Sequence, residues 1–258
     1  DEAHCISDWG HDFRPDYRRI VDIINILPTN IPVLATTATA NDRVVNDIKK
    51  QLGDELVISR GSLLRESLAL QIVKLPSKEA RLAWVLQSIN LLPGTGIIYC
   101  LTVNDCKLVN KWLNANGIHS DCYYSGVETG KKSEIIDAFM SNSIKVLVAT
   151  VAFGMGFDKA DIGFVIHFQR PGNIVAYYQQ IGRAGRGINQ AYAFMLCGSE
   201  DNEINNYFIE SAFPTEELMT EVINTVMSHQ GISIYELEKY INMRRAKIAA
   251  CVKYLLVN

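Results

Sequence analysis

The chain has 258 residues, enough for a sizeable buried core, and its 48% hydrophobic and 21% charged residues are ordinary for a globular protein in water. No apolar run approaches about eighteen residues and no signal peptide opens the sequence, so we expect a cytoplasmic protein that neither spans a membrane nor is secreted. The net charge of −3 gives no overall attraction to nucleic acid, which leaves only local patches for such binding.

The sequence opens on two carboxylates and an imidazole, in the order Asp1, Glu2, Ala3, His4. An aromatic segment follows, with four side chains suited to nucleic acid: Trp9, His11, Phe13 and Arg14. Flat rings beside a guanidinium are what stacking on unpaired bases requires, at about 1–3 kcal/mol per base. The alternative is a helix entry that packs the same rings into the core. An apolar stripe at helical spacing then predicts a helix over Tyr17–Leu27.

A threonine-rich stretch comes next. Pro32–Ala35 predicts a strand that leads into it, and Thr37 and Thr39 lie within it. A helix is predicted over Asp42–Leu52. Taken alone, the threonines are the end of a strand and the N-cap region of that helix, because threonine favours both positions.

Between residues 68 and 197, predicted strands alternate with predicted helices. The strands are Leu68–Lys74, Gly96–Cys100, Ser120–Tyr124, Lys145–Ala149, Gly163–Phe168 and Ala191–Leu196. The helices between them are Lys78–Asn90, Val103–Asn116, Thr129–Ser141 and Asn173–Ile181. This alternation predicts an α/β fold with a doubly wound parallel sheet, whose ligands sit at the carboxyl ends of the strands.

The residues after the fourth predicted strand have the composition of a ligand site. Gly154 and Gly156 allow a backbone to approach a ligand closely. The carboxylate of Asp158 suits ribose hydroxyls or the surroundings of a nucleophile. Tyr99, in the second predicted strand, is either a neighbour of nucleic acid or a buried core residue.

A basic segment follows the helix that Asn173 is predicted to cap, and it contains Gln179, Arg183 and Arg186. A spacing of three predicts that both arginines share one helical face. Two guanidiniums aimed the same way suit the charge spread over a transferring γ-phosphoryl group, which is the task of an arginine finger. The alternative is the solvated basic end of a helix.

After Gly198 only helices are predicted, over Pro214–His229, Ser233–Ile241 and Arg244–Leu256. The last of them carries four basic side chains: Arg244, Arg245, Lys247 and Lys253. Three short helices of this kind predict a winged-helix or helix-turn-helix module that binds DNA, or a helical cap that does not.

The six cysteines include no CxxC pair, which favours reduced, mostly buried thiols. Cys100, Cys106, His119 and Cys122 are close in sequence, but their spacing fits no familiar zinc pattern. We therefore expect no zinc site within these residues.

Several long stretches resemble helicase motifs. VATVAFGMGFDK followed by YYQQIGRAGR is similar to motifs V and VI of superfamily 2 helicases, and its wording resembles the RecQ family. Asp1–His4 with its continuation CISDWGHDFRPDYRRI resembles motif II and the RecQ aromatic-rich loop. Thr36–Ala40 resembles motif III, and Gly96–Cys100 resembles motif IV. The resemblance covers nearly the whole chain.

The resemblance implies an ATP-driven DNA helicase that moves 3′ to 5′ on single-stranded DNA and serves repair and recombination. Its cofactors would be ATP and Mg²⁺, and its partners single-stranded and branched DNA. It implies three parts: the C-terminal part of a first RecA-like domain (1–66), a second RecA-like domain (67–198) and a winged-helix-like module (199–258).

The same resemblance assigns roles to residues. Asp1 would hold Mg²⁺ and Glu2 would orient the attacking water, with Arg183 and Arg186 facing them across a cleft. Thr37 and Thr39 would link the nucleotide state to the grip on DNA. The nucleotide would also contact His4, Gly156, Asp158 and Gln179. DNA would lie against Trp9, His11, Phe13 and Arg14.

The chain also departs from the family pattern. No GxxxxGK[ST] phosphate loop occurs in the 258 residues, so we expect a fragment that begins within the first domain and is inactive alone. Asp8 replaces a common glutamine, Ser125 replaces a histidine, and only Cys197 and Cys251 follow Arg186, where the family carries a four-cysteine zinc cluster. The alternative is a non-catalytic DNA-binding or regulatory protein. DWGHDFRPDY disfavours a DEAH-box RNA helicase.

Overall fold

A computed structural model describes residues 1–6, 15–28, 30–53, 56–62, 65–154, 157–198, 200–212, 215–229 and 231–255. The chain divides into two compact units. Unit 1 contains Asp1–Leu56 and Asn206–Asn258, and unit 2 contains Val57–Asn205. Within the ranges given above, every helix is too short or too polar to cross a membrane.

The N-terminal part of unit 1 is helical. One 3-10 turn covers Ala3–Ile6, and two helices follow it, α1 (Pro15–Ile26) and α2 (Asp42–Leu52). Asn41 caps α2 by accepting a hydrogen bond from the backbone N–H of Val44 at 2.9 Å. A small apolar cluster joins the turn to α2 through Ala3, Val44 and Ile48.

The prediction of a strand over Pro32–Ala35 is wrong. A strand exists only where a neighbour completes its hydrogen-bond ladder, and no strand lies beside residues 32–35 in the described part of unit 1. Val33 and Leu34 are exposed instead. The apolar composition of this segment therefore does not decide its backbone conformation.

A parallel sheet of six strands forms the centre of unit 2. Its strands are β1 (Leu68–Lys74), β2 (Thr95–Tyr99), β3 (Ser120–Tyr123), β4 (Val146–Ala149), β5 (Ile162–His167) and β6 (Ala191–Cys197). They lie in the order β1-β6-β5-β2-β4-β3, and every pairing is parallel. The predicted α/β fold is confirmed, and each strand begins and ends within one residue of its predicted bounds.

Helices connect these strands and cover both faces of the sheet. They are α3 (Lys78–Ile89), α4 (Val103–Ala115), α5 (Thr129–Met140) and α6 (Ile174–Ile181). Within β2, Ile98 packs into one core cluster while Ile97 and Tyr99 pack into the other, as the alternation of side chains along a strand requires. The ends of β2, β4 and β5 are thus fixed from two sides, and the loops that follow them leave from the middle of the sheet.

Helix α7 (Asp201–Ala212) was not predicted, and a buried ion pair explains its position. Arg81, fully buried in α3, lies 3.0 Å from Asp201 and donates to the carbonyl of Phe168 at 3.0 Å. Asp201 also accepts from the backbone N–H of Gly198 at 3.1 Å. The start of α7 is therefore held by partners that are distant in sequence, and no local pattern announces it.

Three helices form the C-terminal part of unit 1: α8 (Glu216–Ser228), α9 (Ile234–Tyr240) and α10 (Arg245–Leu255). They share an apolar core of Leu218, Val222, Leu237, Ile241, Ile248 and Cys251. Thr215 caps α8 and Ser233 caps α9. The three helices predicted here are confirmed, each within two residues of its predicted bounds.

Candidate functional site

A buried arginine holds the loop that follows β4. Arg183 is only 9% exposed, and its guanidinium donates hydrogen bonds to the carbonyls of Gly154 at 2.5 Å and Phe157 at 2.9 Å. The same guanidinium lies 5.9 Å from the centroid of the Phe153 ring. Arg183 therefore fixes the backbone on both sides of residues 155–156, in the glycine-containing segment that the sequence marks as a ligand site.

Arg186 is placed differently, because it is exposed and forms an ion pair at the surface. Its Nη1 lies 2.6 Å from Oδ1 of Asp158, and the two side chains are 36% and 75% exposed. Its Nε donates to the carbonyl of Gly182 at 3.2 Å. A guanidinium held by one exposed carboxylate can exchange that partner for a more highly charged anion, such as a phosphate.

The prediction that the two arginines share one helical face is wrong. Helix α6 ends at Ile181, and Gly182 caps it by donating its backbone N–H to the carbonyl of Tyr178 at 2.9 Å. Gly185 then has a φ of +71°, a conformation that favours glycine and turns the chain. Arg183 and Arg186 consequently lie beyond the helix, one directed into the protein and the other at its surface.

Arg65 and Ser67, which belong to no recognised motif, hold the turn after α6. Arg65 donates to the carbonyls of Gly182 at 2.7 Å and Ala184 at 3.1 Å, and the Ser67 hydroxyl donates to the carbonyl of Gly185 at 2.9 Å. A Cβ at Gly185 would lie 2.9 Å from the Ser67 hydroxyl. Both residues precede β1, more than a hundred residues from their partners, so the sequence gives no signal of this role.

His167 connects the end of β5 to α6. Its Nε2 lies 2.7 Å from Oε1 of Gln180, and because an amide oxygen only accepts, the ring nitrogen donates. The ring stacks on Tyr99 with centroids 5.6 Å apart. Burial lowers the pKa of His167 to about 4, so the ring is neutral at neutral pH. Tyr99 is only 3% exposed, which makes it a core residue and not a neighbour of nucleic acid.

In unit 1 the N-terminal carboxylates meet the threonine stretch. Oδ1 of Asp1 accepts hydrogen bonds from the hydroxyl of Thr36 at 2.9 Å and from the backbone N–H of Glu2 at 2.8 Å. The backbone N–H of Ala3 donates to the carbonyl of Thr36 at 2.9 Å. Glu2 has a φ of 54°, which is uncommon for a residue other than glycine. Two segments that are far apart in sequence thus form one site.

His4 and Thr37 complete this contact. His4 is 2% exposed, and its Nδ1 lies 2.9 Å from the hydroxyl of Thr37 and 3.2 Å from Oε2 of Glu2. The Thr37 hydroxyl also accepts from the backbone N–H of Thr39 at 3.2 Å. His4 therefore lies within reach of both Glu2 and the threonine stretch.

Comparison with known proteins supports a helicase fold. The family described as Helicase conserved C-terminal domain matches residues 80–187, which contain both arginines and Asp158. Dbp5 of Saccharomyces cerevisiae, solved with RNA and ADP BeF3, is similar with a TM-score of 0.64 and 19% identity, over 81% of this chain and 56% of that chain. At this identity the likeness concerns the fold alone.

Curated relatives extend the match to the sequence outside that domain. RecQ-like DNA helicase blm-1 of Caenorhabditis elegans is 35% identical over 233 residues, which cover 88% of this chain and 23% of that protein. ATP-dependent DNA helicase RecQ of Bacillus subtilis is 36% identical over 214 residues, which cover 82% of this chain and 36% of that protein. The chain belongs to the RecQ family. It spans less than half the length of either relative.

The other site residues predicted for this RecQ chain divide into two groups. Gln179 lies partly buried on α6, next to Gln180. Gly156 lies outside the described residues, as does the whole aromatic group of Trp9, His11, Phe13 and Arg14. In the described part of the chain, no three His, Cys, Asp or Glu side chains are arranged to hold a metal ion.

The basic residues at the start of α10 in this RecQ chain have different surroundings. Arg245 forms an ion pair with Glu238 at 3.0 Å, and its guanidinium lies 5.0 Å from the centroid of the Tyr235 ring. Arg244 and Lys247 are exposed. The order of α9, turn and α10 is that of a helix-turn-helix, and binding of DNA by this module stays a prediction.

Proposed function

We propose that this RecQ-family chain works in a DNA helicase that couples ATP hydrolysis to 3′-to-5′ movement along single-stranded DNA and to duplex unwinding, in repair and recombination. Asp1, Glu2, Arg183 and Arg186 would serve the hydrolysis of Mg-ATP. Two of the relatives, RecQ-like DNA helicase blm-1 and ATP-dependent DNA helicase RecQ, support this choice.

The exposed pair of Arg186 and Asp158 is the observation that carries the proposal. A transferring γ-phosphoryl group spreads negative charge over its equatorial oxygens, and an arginine finger stabilises that charge. Arg186 has the guanidinium, the exposure and the exchangeable partner that this task needs. In the proposal it leaves Asp158 for the phosphate, and Asp158 becomes free to accept hydrogen bonds from the ribose.

Arg183 has a supporting part in the proposal. Two of its nitrogens already donate to backbone carbonyls, and its side chain is buried. A guanidinium used in this way holds the loop in place, so that Asp158 and Arg186 keep their positions. We therefore assign Arg183 as a positioning residue and Arg186 as the residue that touches the nucleotide.

The carboxylates of unit 1 fit Mg²⁺ and a water nucleophile. Mg²⁺ is commonly held by one or two carboxylates together with substrate phosphates, and Asp1 is exposed. Oε2 of Glu2 is buried without a well-aligned hydrogen bond, which leaves it able to orient a water. Bound there, Mg²⁺ would neutralise charge that develops on the phosphates.

His4 and Thr37 provide the proposed route from nucleotide to DNA. The His4 ring lies within reach of Glu2 on one side and of Thr37 on the other. In the proposal, a shift of Glu2 on hydrolysis moves the threonine stretch, and with it the hold on single-stranded DNA. Stacking of DNA on Trp9, His11, Phe13 and Arg14 is part of the proposal that rests on the sequence alone.

The test is a chimaera in which the phosphate-loop segment of the Bacillus subtilis relative precedes Asp1. ATP hydrolysis is measured without nucleic acid, with single-stranded DNA and with RNA of the same sequence. Unwinding is measured on duplexes with a 3′ or a 5′ single-stranded tail. We expect DNA to stimulate hydrolysis more than RNA, and only the duplex with a 3′ tail to be unwound.

The 258-residue chain alone is the control, and it should hydrolyse ATP no faster than buffer, because no phosphate loop is present to hold the β- and γ-phosphates. Equal stimulation by RNA would favour the RNA helicase alternative. DNA binding without any hydrolysis in the chimaera would favour the non-catalytic alternative. Unwinding from a 5′ tail would overturn the assigned direction.

A further inference from the structure

Three thiols of unit 2 lie on one face of the sheet. Cys106 of α4 and Cys100, which follows β2, are buried in the same core cluster, and Cys122 of the edge strand β3 packs against that cluster. The ring of Phe153, which Arg183 contacts, belongs to the cluster on the other face. The thiols are therefore no part of the proposed nucleotide site.

Cys106 and Cys122 are direct neighbours. Helix α4 packs on β3, and Sγ of Cys106 lies 3.2 Å from the carbonyl oxygen of Val148 in β4. Val148 is the residue that pairs with Cys122 in the parallel ladder of β3 and β4. Because α4 packs on β3 and both thiols adjoin Val148, they lie on the same side of the sheet as candidates for a disulfide.

The two thiols differ in exposure and in charge. Cys122 is partly exposed, whereas Cys106 is fully buried. The neighbouring Cys106 thiol lowers the pKa of Cys122, with help from Lys131 and Lys107 and against the effects of burial and Asp121. The same contact, together with burial, raises the pKa of Cys106. Cys122 is thus the more exposed and the more acidic of the two thiols, which makes it the nucleophile of the pair.

We propose that Cys122 is a site of oxidation by peroxides and that Cys106 is its resolving thiol, so that the pair forms a reversible disulfide between α4 and β3. The thiolate of Cys122 attacks one oxygen of the peroxide, the O–O bond breaks, and the sulfur becomes a sulfenic acid while hydroxide leaves. The thiol of Cys106 then attacks that sulfur, the S–O bond breaks, and water leaves with the thiol proton. Two thiols lose two electrons in total, and the peroxide gains them.

The disulfide would tie the edge strand to the core. Cys122 is next to Tyr123, whose ring makes an edge-on contact with Phe153 at 5.2 Å. Phe153 in turn precedes Gly154, which Arg183 binds. Oxidation would therefore fix β3 beside the loop of the proposed site. The redox chemistry itself does not depend on the proposed function.

The test exposes the folded chain to hydrogen peroxide and then counts free thiols after denaturation. We expect the count to fall from six to four, and peptide mass spectrometry to find Cys106 joined to Cys122. A thiol reductant should restore all six. In Cys122→Ser, peroxide should not lower the number of free thiols. Cys106→Ser should instead leave a sulfenic acid at Cys122 that a 1,3-dione reagent traps.

Cys197→Ser is the matched control, because Cys197 is also partly exposed while burial raises its pKa. This variant should form the disulfide at the rate of the unchanged chain. Retention of six thiols by the folded chain would overturn the proposal, and so would a disulfide that involves Cys100 in place of either partner. Both outcomes are read from the unchanged chain, so they do not depend on whether a variant folds.

Discussion

The two groups of candidate residues, one in each unit, are positioned in different ways. In unit 2, the candidate residues follow elements of a six-stranded sheet whose central strands are fully buried. Arg183 binds the backbone of the loop after β4, and Arg65 binds the backbone of the turn after α6. In unit 1, Asp1 and His4 are held by hydrogen bonds to Thr36 and Thr37. The described residues of 1–56 contain no strand.

This difference separates two ways of positioning reactive groups. Unit 2 uses apolar burial, which is worth roughly 25 cal/mol per Å² and is spread over many side chains. In unit 1, the side chains of Asp1 and His4 are positioned by individual hydrogen bonds, each worth about 1 kcal/mol net. In unit 2 we therefore expect substitution of an exposed site residue to lower the rate of hydrolysis, and substitution of a buried one to lower the free energy of unfolding. In unit 1 we expect substitution of a single hydrogen-bonding residue to change the free energy of unfolding only slightly.

The largest effect is expected for Arg186→Ala in the chimaera. Loss of the finger should lower ATP turnover by a factor on the order of 10³, while affinity for ATP changes only a few-fold, because the contact strengthens in the transition state. Single-turnover kinetics and nucleotide titration measure the two quantities. Arg170→Ala is the control, since Arg170 is also exposed but bonds to the neutral side chain of Asn202. Near-normal ATP turnover in Arg186→Ala would show that Arg186 is not the arginine finger.

Arg183→Ala should act mainly on folding. Its removal leaves the carbonyls of Gly154 and Phe157 without their charged donor, which should cost about 3 kcal/mol in the free energy of unfolding. Arg186→Ala, at an exposed ion pair, should cost less than about 1 kcal/mol. Urea unfolding of the 258-residue chain measures both. If both substitutions lowered the free energy of unfolding equally, the buried hydrogen bonds of Arg183 would not stabilise the fold more than the exposed ion pair of Arg186 does.

Acid should weaken unit 2 through His167. Its pKa is lowered by burial to about 4 from the usual 6.5, so the unfolded chain binds the proton more readily than the folded one. This contribution to stability is complete above pH 6.5 and is lost as the pH falls toward 4. Between pH 7 and pH 5 it should amount to about 2 kcal/mol.

Urea unfolding at both pH values checks this, with the difference compared between variants so that other groups cancel. His167→Asn should lose less stability than the unchanged chain on going to pH 5. His119→Asn, at an exposed histidine, is the control and should behave like the unchanged chain. An unaltered pH dependence in His167→Asn would show that His167 does not titrate below its usual range.

The smallest effect is expected in unit 1, at the contact of His4 with Thr37. A double-mutant cycle with His4→Ala and Thr37→Val should give a coupling free energy of about 1 kcal/mol, as for one hydrogen bond. A cycle that pairs His4→Ala with Asn41→Ala, which removes only the cap of α2, should give none. Equal coupling in the two cycles would mean that the His4–Thr37 contact has no special role.

The sheet of unit 2 could be predicted because most of its strands are short apolar runs and four of the five connections between them contain a helix. The site could be predicted only in part. The sequence indicates that Arg183 and Arg186 belong to one functional segment, but the opposite directions of their side chains depend on the cap at Gly182 and the left-handed backbone at Gly185. A spacing of three indicates a shared face only while the helix continues.

Other features depend on contacts between distant segments. Arg65 binds a turn more than a hundred residues away, and buried Arg81 sets the start of α7 through Asp201. The spacing of apolar and polar residues along the chain does not predict contacts between such distant residues. The contact of Asp1 and His4 with the threonine stretch was not predicted either. The strand predicted at Pro32–Ala35 rested on composition and is absent from the described segment.

The central proposal is that Glu2 and Arg186 both act in ATP hydrolysis, and a double substitution tests it most directly. In the chimaera, Glu2→Gln and Arg186→Ala should each lower single-turnover hydrolysis strongly. If both groups act in the same transition state, the double variant should be little slower than the slower single variant, because residues that act as a unit are not additive. A double variant whose loss is the product of the two single losses would contradict the claim.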